Sequence, residues 1–257
     1  MNVPNVTIDG QGHTVTGFSL INFNQTTLPS QTVLKNMTFA GSVTIDPTGY
    51  ASCVCIAGDN SSSNANGPSF ILQNVTVQPV SVTGFDTSCL SMIGNNILID
   101  HCTITGQIFG GPNGTDDPIT MSTYPGLPPG AGGIYGSSTN ADLYWVTIQN
   151  TTASNGWDSG MEWLAQHLHS CSFLSNTINN ITGGNSEGFY SQYSVYPAGL
   201  TQDPQPPINC TWTNNALHGV TNHMYRFTGG TSFADNDTQA IANWGSGGNV
   251  FTGNTST

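Results

Sequence analysis

The sequence predicts an all-β fold, a solenoid of parallel strands with about nine coils and two long loop insertions, and three observations carry that prediction. A short motif, two apolar or small residues one apart followed by a polar turn, recurs at intervals of roughly 18 to 25 residues where the chain is compact. Within each motif the apolar residues alternate with Thr, Ser or Val, the period of a strand. Helical periodicity and helix caps are essentially absent, while Gly, Asn, Ser and Pro punctuate the turns.

The first coil is "NVTIDGQGHTVTG", from Asn5 to Gly17, and its successors are "NMTFAG", "NVTVQP", "HCTITG", "WVTIQN", "SCSFLSN", "NCTWTNN", "GTSFADN" and "GNVFTGN". Aligned, they place Val6, Met37, Val75, Cys102, Val146, Cys171, Cys210, Thr231 and Asn249 in one column. Ile8, Phe39, Val77, Ile104, Ile148, Phe173, Trp212, Phe233 and Phe251 form a second, apolar throughout, as a stacked core requires. A second strand per coil is expected from "GGIYG", "SGMEW", "EGFYS", "NHMYRF" and "TQAIANW". Earlier, "SCVCIAGDN" and "SCLSMIGNN" match each other, with Val54 over Leu90 and Ile56 over Met92. Parallel strands about 4.8 Å apart would make nine coils a rod roughly 40 Å long.

"NVTIDGQGHTVTG" and "SCSFLSNTINNITGGNSEGF" resemble repeats of the pectin-lyase-like superfamily. The resemblance implies a right-handed parallel β-helix spanning residues 1–257 as a single domain. It implies no activity, because that superfamily holds lyases, hydrolases, phage tailspikes, adhesins and noncatalytic surface proteins. Resemblance to a pectate lyase would require a calcium-binding carboxylate cluster and a basic Arg or Lys, yet Arg226 is the only Arg and no such motif surrounds it. A polygalacturonase-like enzyme would show paired aspartates, a His-Gly pair and an R-x-K element; here "LHG" at Leu217 to Gly219 stands alone and the basic element is missing.

Asn176, Asn215, Asn236 and Asn254 each lie five residues after a first-column position, the pattern of stacked Asn side chains bonding to one another at a turn. About eleven N-x-S/T sequons occur, and membership of that ladder disfavours Asn236 and Asn254 as glycan acceptors. Asn5, Asn36, Asn74 and Asn209, each just before an inward residue, are expected to face solvent and are the candidate glycosylation sites.

Charge narrows the partners. Lys35 and Arg226 are the whole basic complement against 14 acidic residues, for a net charge of −12. A nucleic-acid backbone is gripped by Lys and Arg, so nucleic-acid binding is excluded, and an anionic membrane surface would be repelled in the same way. No run approaches the ~20 apolar residues of a membrane span. A polar surface built from Asn, Ser, Thr and Gln loses few ion pairs as carboxylates protonate, which points to an extracellular, cell-surface or virion-surface protein and to acid tolerance. No secretory leader is visible, so that location expects a leader or longer parent chain. Cys53, Cys55, Cys89, Cys102, Cys171 and Cys210 have no zinc spacing, leaving buried thiols or disulfides as alternatives.

Two excursions, residues 106–140 and 190–207, are read as loop insertions that could flank one groove. Between them the second-strand alignment puts Tyr135, Glu162, Tyr190 and Tyr225 in one outward column, with Tyr193 on the second insertion. Aromatic faces beside a carboxylate suit sugar rings, so these five residues are the candidate carbohydrate-binding set. No catalytic residue is favoured; were the chain a glycoside hydrolase, Glu162, Asp158 and Glu187 would be the candidates, with Asp116 and Asp117 on the first insertion nearby. His167 and His169, two apart, share a strand face but show no third ligand, so no metal and no cofactor is expected. Neither a nucleophile elbow nor a phosphate-cradling glycine loop is present.

The function these features favour is a noncatalytic spike, fibre, adhesin, coat or filament subunit; a polysaccharide-degrading hydrolase or a carbohydrate-binding module is the rival. Both ends of the solenoid read as uncapped, and other subunits are expected to cover them.

Overall fold

The computed structural model describes residues 5–16, 19–21, 31–44, 51–59, 61–83, 87–108, 115, 117–122, 142–165, 167–183, 186–191, 206–227 and 232–257. Among these residues the fold is all-β with long parallel sheets and one short α-helix, an arrangement consistent with a β-solenoid. A 14-stranded sheet and an 8-stranded sheet face a shared apolar core, and two 2-stranded pairs flank them. Among the described residues no helix is long and apolar enough to cross a membrane.

The larger sheet turns a corner. Thr32–Phe39 and Phe70–Val77 run through it as single bent strands, and in later coils the same path is split, as in Val146–Gln149 followed by Thr152–Gly156. At the corner sit Asn36, Asn74, His101, Asn150, Ser175 and Asn214, all with φ between 51° and 56°. That left-handed region is strained for most side chains and least so for Asn, which is why Asn recurs just before an inward residue.

Two files of side chains run the length of this sheet, one on each side of the corner. Ile8, Leu34, Leu72, Ile99, Ile148, Phe173, Trp212 and Phe251 are consecutive register partners in the first. Val15, Phe39, Val77, Ile104, Ala153, Ile178, Leu217 and Ser256 form the second. Ile8, Phe173 and Phe251 therefore share a file, as the sequence pattern expects. Phe39, Val77 and Ile104 do not join them, because the same apolar alternation flanks both sides of the corner and the pattern merges two files into one. Phe233 belongs to neither: it lies on Ser232–Ala234, which pairs antiparallel to His223–Phe227. Aromatic stacking closes the C-terminal half of the core, with ring centroids 5.2 Å apart for Phe173–Trp212 and 4.8 Å for Trp212–Phe251.

The second sheet holds Val54, Leu90, Ile119, Met161, Phe189 and Tyr225 in one file, so Val54 lies over Leu90 and Ile56 over Met92 as expected. Its register corrects three expectations. Asp117–Ser122 is a strand of this sheet although it falls inside the stretch read as the first insertion; "DPITMS" alternates as well as "GGIYG" does. Tyr225 pairs with Phe189 and is fully buried in the core, leaving Arg226 beside Tyr190. "TQAIANW" is not a strand but most of the helix Asp237–Trp244.

That helix packs against the C-terminal strands. The Asn ladder runs from Asn176 to Asn215 to Asn254: Oδ1 of Asn215 and of Asn254 each accepts the backbone N–H and the side-chain Nδ2–H of the preceding Asn, and Asn176 Oδ1 accepts from the Thr151 N–H. Where the next Asn would lie, the Asp237 carboxylate accepts from the Asn254 backbone N–H at 3.0 Å and from its Nδ2 at 2.8 Å. Trp244, at the other end of the helix, packs 4.5 Å from Phe227 and 6.2 Å from Phe251. The place of Asn236 in the ladder is thus corrected: its Oδ1 accepts from the Gln239 N–H as the helix N-cap, while Gln239 Oε1 accepts from the Asp235 N–H. At the opposite end Ile8 and Val15 remain 46% and 40% exposed. All six cysteines are buried free thiols.

Candidate functional site

The second sheet brings four of the residues singled out in the sequence into one neighbourhood. Glu162, Tyr190 and Arg226 follow one another in register, three positions along each strand from Ser159, Glu187 and His223. Arg226 Nη1 donates to Glu187 Oε1 at 2.9 Å, and its guanidinium carbon lies 5.0 Å from the centre of the Tyr190 ring. The backbone N–H of Glu187 donates to the Asp158 carbonyl at 2.9 Å.

Burial dominates the electrostatics here. Glu162 and Glu187 are 2% and 0% exposed, and Tyr190 is 7% exposed. Burial pushes the Glu187 carboxyl up to about 7 despite the attraction of Arg226, and it also raises the Tyr190 phenol. Among the described residues Glu187 Oε2 and Arg226 Nε have no hydrogen-bond partner. The cluster holds the ingredients of acid chemistry, but Glu162 and Glu187 are closed off from water while Asp158 is half-buried. Tyr225 is not part of it, because the register turns its ring into the core, and Thr120, not Tyr135, is the neighbour of Glu162 on the preceding strand. Tyr135, Tyr193 and Asp116 lie outside the described residues.

The candidate glycan acceptors all occupy corners with positive φ: Asn5 at 57°, Asn36 at 56°, Asn74 at 52° and Asn209 at 53°. Asn5, Asn74 and Asn209 are exposed. Asn36 is half-buried, and its Nδ2 donates to Asp9 Oδ1 at 3.1 Å, so the atom a glycan would modify is already engaged.

A second cluster escaped the sequence reading. Asp142–Tyr144 and His167–His169 form a parallel pair, with Asp142 opposite His167 and Tyr144 opposite His169. Leu143 and Leu168 anchor the pair in the core, and alternation sends the flanking residues to the other face. His167 Nδ1 lies 2.9 Å from Asp142 Oδ1, and His169 Nε2 lies 3.2 Å from Asp142 Oδ2. The Tyr144 hydroxyl donates to Asp142 Oδ2 at 3.2 Å and its ring stacks on His169 at 4.6 Å. Burial lowers the pKa of His169, which favours the neutral imidazole. Asp142 thus supplies the third group that His167 and His169 lacked in the sequence. Its signal was "DLY" one coil before "HLH", visible only once the two strands are known to pair.

Other polar clusters serve the fold. The Asp100 carboxylate accepts from Gln73, Gln149 and Asn150 side chains across successive coils and contacts His101 Nδ1 at 2.7 Å. Those bonds hold its pKa below the ordinary value against the opposing effect of burial. Asp59 accepts from Asn96 Nδ2 at 2.7 Å and from the Ser61 N–H, which ties down its own loop. Compared with known proteins, the chain matches no family model, no curated protein and no solved structure.

Proposed function

We propose that the chain is a right-handed parallel β-helix of the pectin-lyase-like type that works as a noncatalytic structural subunit at an extracellular, cell or virion surface, in a spike, fibre, coat or filament. The observation that carries this reading is the enclosure of two of the three acids a polysaccharide-cleaving site would use, Asp158 alone being half-buried. Glu162 and Glu187 are almost wholly removed from solvent, and Glu187 is bonded to one of the chain's two basic side chains. A hydrolase needs one carboxyl group beside the glycosidic oxygen and another within reach of the anomeric carbon or its water. Glu187, bonded to Arg226, and the buried Glu162 reach neither, whereas a stack with a sparsely charged, hydrogen-bonding surface suits display and contact.

Parallel crossovers are right-handed for steric reasons, which supports the handedness. The partners are further subunits, and the exposed apolar side chains of Ile8 and Val15 offer them a contact surface. The rival reading, a glycoside hydrolase, is favoured by one feature: burial pushes the Glu187 carboxyl up to about 7, the range of a general acid.

One experiment separates them. Purified protein is incubated with a panel of neutral glycans, reducing ends are measured, and mass is followed by light scattering across a concentration series. The structural reading predicts no cleavage and a mass above the 27.0 kDa monomer. Cleavage that disappears in Glu187→Gln, with a monomer at all concentrations, would overturn it.

A further inference from the structure

We propose that Asp142, His167 and His169 form a zinc site with three protein ligands and a fourth position open to water. One ligand atom from each of the three residues lies within 4.8 Å of the others before any metal is considered. Tetrahedral zinc with bonds of about 2.0–2.2 Å places ligand atoms about 3.3 Å apart, so small side-chain rotations close the site. Two imidazole nitrogens with one carboxylate oxygen match zinc, whereas calcium and magnesium take shells of oxygen.

The scaffold restricts the alternatives each ligand has. All three residues stand on one rigid parallel pair whose middle residues are core. Tyr144 fixes two of them at once, donating to Asp142 Oδ2 and stacking flat on the His169 ring at an interplanar angle of 12°. No basic side chain competes for Asp142: the chain has only Lys35 and Arg226, and these pair with Asp9 and Glu187. The net charge of −12 draws cations toward the surface. The side chains of Asp142, His167 and His169 are 28%, 25% and 21% exposed, so a cation can enter and a water can complete the shell. Any proton on the ligating nitrogens leaves to solvent as the metal takes its place.

The same chain supplies its own controls. His101 with Asp100 and His223 with Asp235 are His–carboxylate pairs at 2.7 and 2.8 Å that belong to no three-ligand group among the described residues. The full chain, stripped with chelator, is titrated with zinc chloride by calorimetry, and with cobalt chloride to read the visible absorption of a four-coordinate site. The expected result is one zinc per chain with micromolar or tighter affinity. Asp142→Asn and His169→Ala should each weaken binding at least tenfold, while His101→Ala should not. A far-ultraviolet circular dichroism spectrum confirms that each variant folds, and His167→Ala replaces any that does not. Absence of binding up to millimolar zinc, or binding unchanged in the ligand variants, would overturn the proposal.

Discussion

Replacing Asn215 with Ala probes the interior ladder at its centre. Asn215 is 1% exposed, and its side chain makes four hydrogen bonds. Its Oδ1 accepts from the Asn176 N–H and Nδ2, both at 3.0 Å; its Nδ2 donates to the Phe173 carbonyl at 2.9 Å and to Asn254 Oδ1 at 2.8 Å. Alanine strands the Asn176 N–H, while Asn176 Nδ2 keeps the Ile148 carbonyl and Asn254 Oδ1 keeps the Asn215 N–H. A buried polar group left without its partner costs about 1–3 kcal/mol, so one stranded donor and two weakened acceptors together predict a loss of about 3–5 kcal/mol. At this chain length that lowers the melting temperature by roughly 10 °C. Urea denaturation read by tryptophan fluorescence measures it, because Trp163, Trp212 and Trp244 are buried. Asn74→Gly is the control: Asn74 is exposed, glycine accepts its positive φ, and its Nδ2 makes only a 3.4 Å contact with Asn36. A loss below about 1 kcal/mol for Asn215→Ala, or one no larger than for Asn74→Gly, would refute the interior ladder as a source of stability.

Other consequences follow from burial. Glu187 holds its proton up to about 7 in the folded chain against an ordinary value of 4.5, so its contribution is complete below that ordinary value and is lost as pH rises through about 7. Glu187→Gln should therefore flatten the pH dependence of stability between those limits, by up to on the order of 3 kcal/mol, in urea curves taken at pH 4.5 and 7.5. Asp100 has the opposite sign: its pKa is depressed, its contribution is present above 3.8 and is lost as pH falls through the lower folded value. Together the two place maximal stability in mildly acidic solution, and a maximum above pH 7 would contradict that balance. Burial raises the thiols of Cys55, Cys89 and Cys102 to about 11, 12 and 12, so a disulfide reagent at pH 8 should label none of them until denaturant is added. Gly188→Ala would drive its Cβ into Leu217 Cδ2 and put it 2.8 Å from the Met224 carbonyl oxygen; a loss of about 1–3 kcal/mol is expected, and unchanged stability would mean the two sheets are not packed this closely.

Strand periodicity made the architecture legible because it reports burial locally: Leu34, Phe173 and Trp212 are apolar since each sits in a buried file. It could not tell which file, because Phe39 and Ile8 carry the same alternation on opposite sides of a corner whose marker, an Asn with positive φ, reads in sequence as an ordinary polar residue. The ladder was legible at Asn176, Asn215 and Asn254, where fixed spacing follows from stacking. It failed at Asn236, where the Asn236-x-x-Gln239 capping pattern was the competing signal and prevailed. Of the acid cluster, Glu162, Asp158, Glu187 and Tyr190 were found by proximity along the strands. Tyr225 was misplaced by a single residue of register, which in a strand reverses the face. Asp142 was missed because its meeting with His167 and His169 depends on a pairing 25 residues apart.

Distance along the stack tests the coiled architecture most directly. Thr7, Thr147, Thr211 and Val250 belong to one register series, with Thr147, Thr211 and Val250 four, six and seven strand steps from Thr7. Spin labels on cysteines introduced at Thr7 and at each of the other three in turn, read by pulsed dipolar spectroscopy, should give backbone separations of about 19, 29 and 34 Å. A linear rise with step number is the predicted result; distances that fail to grow along the series, as in a sandwich of antiparallel ribbons, would contradict the account.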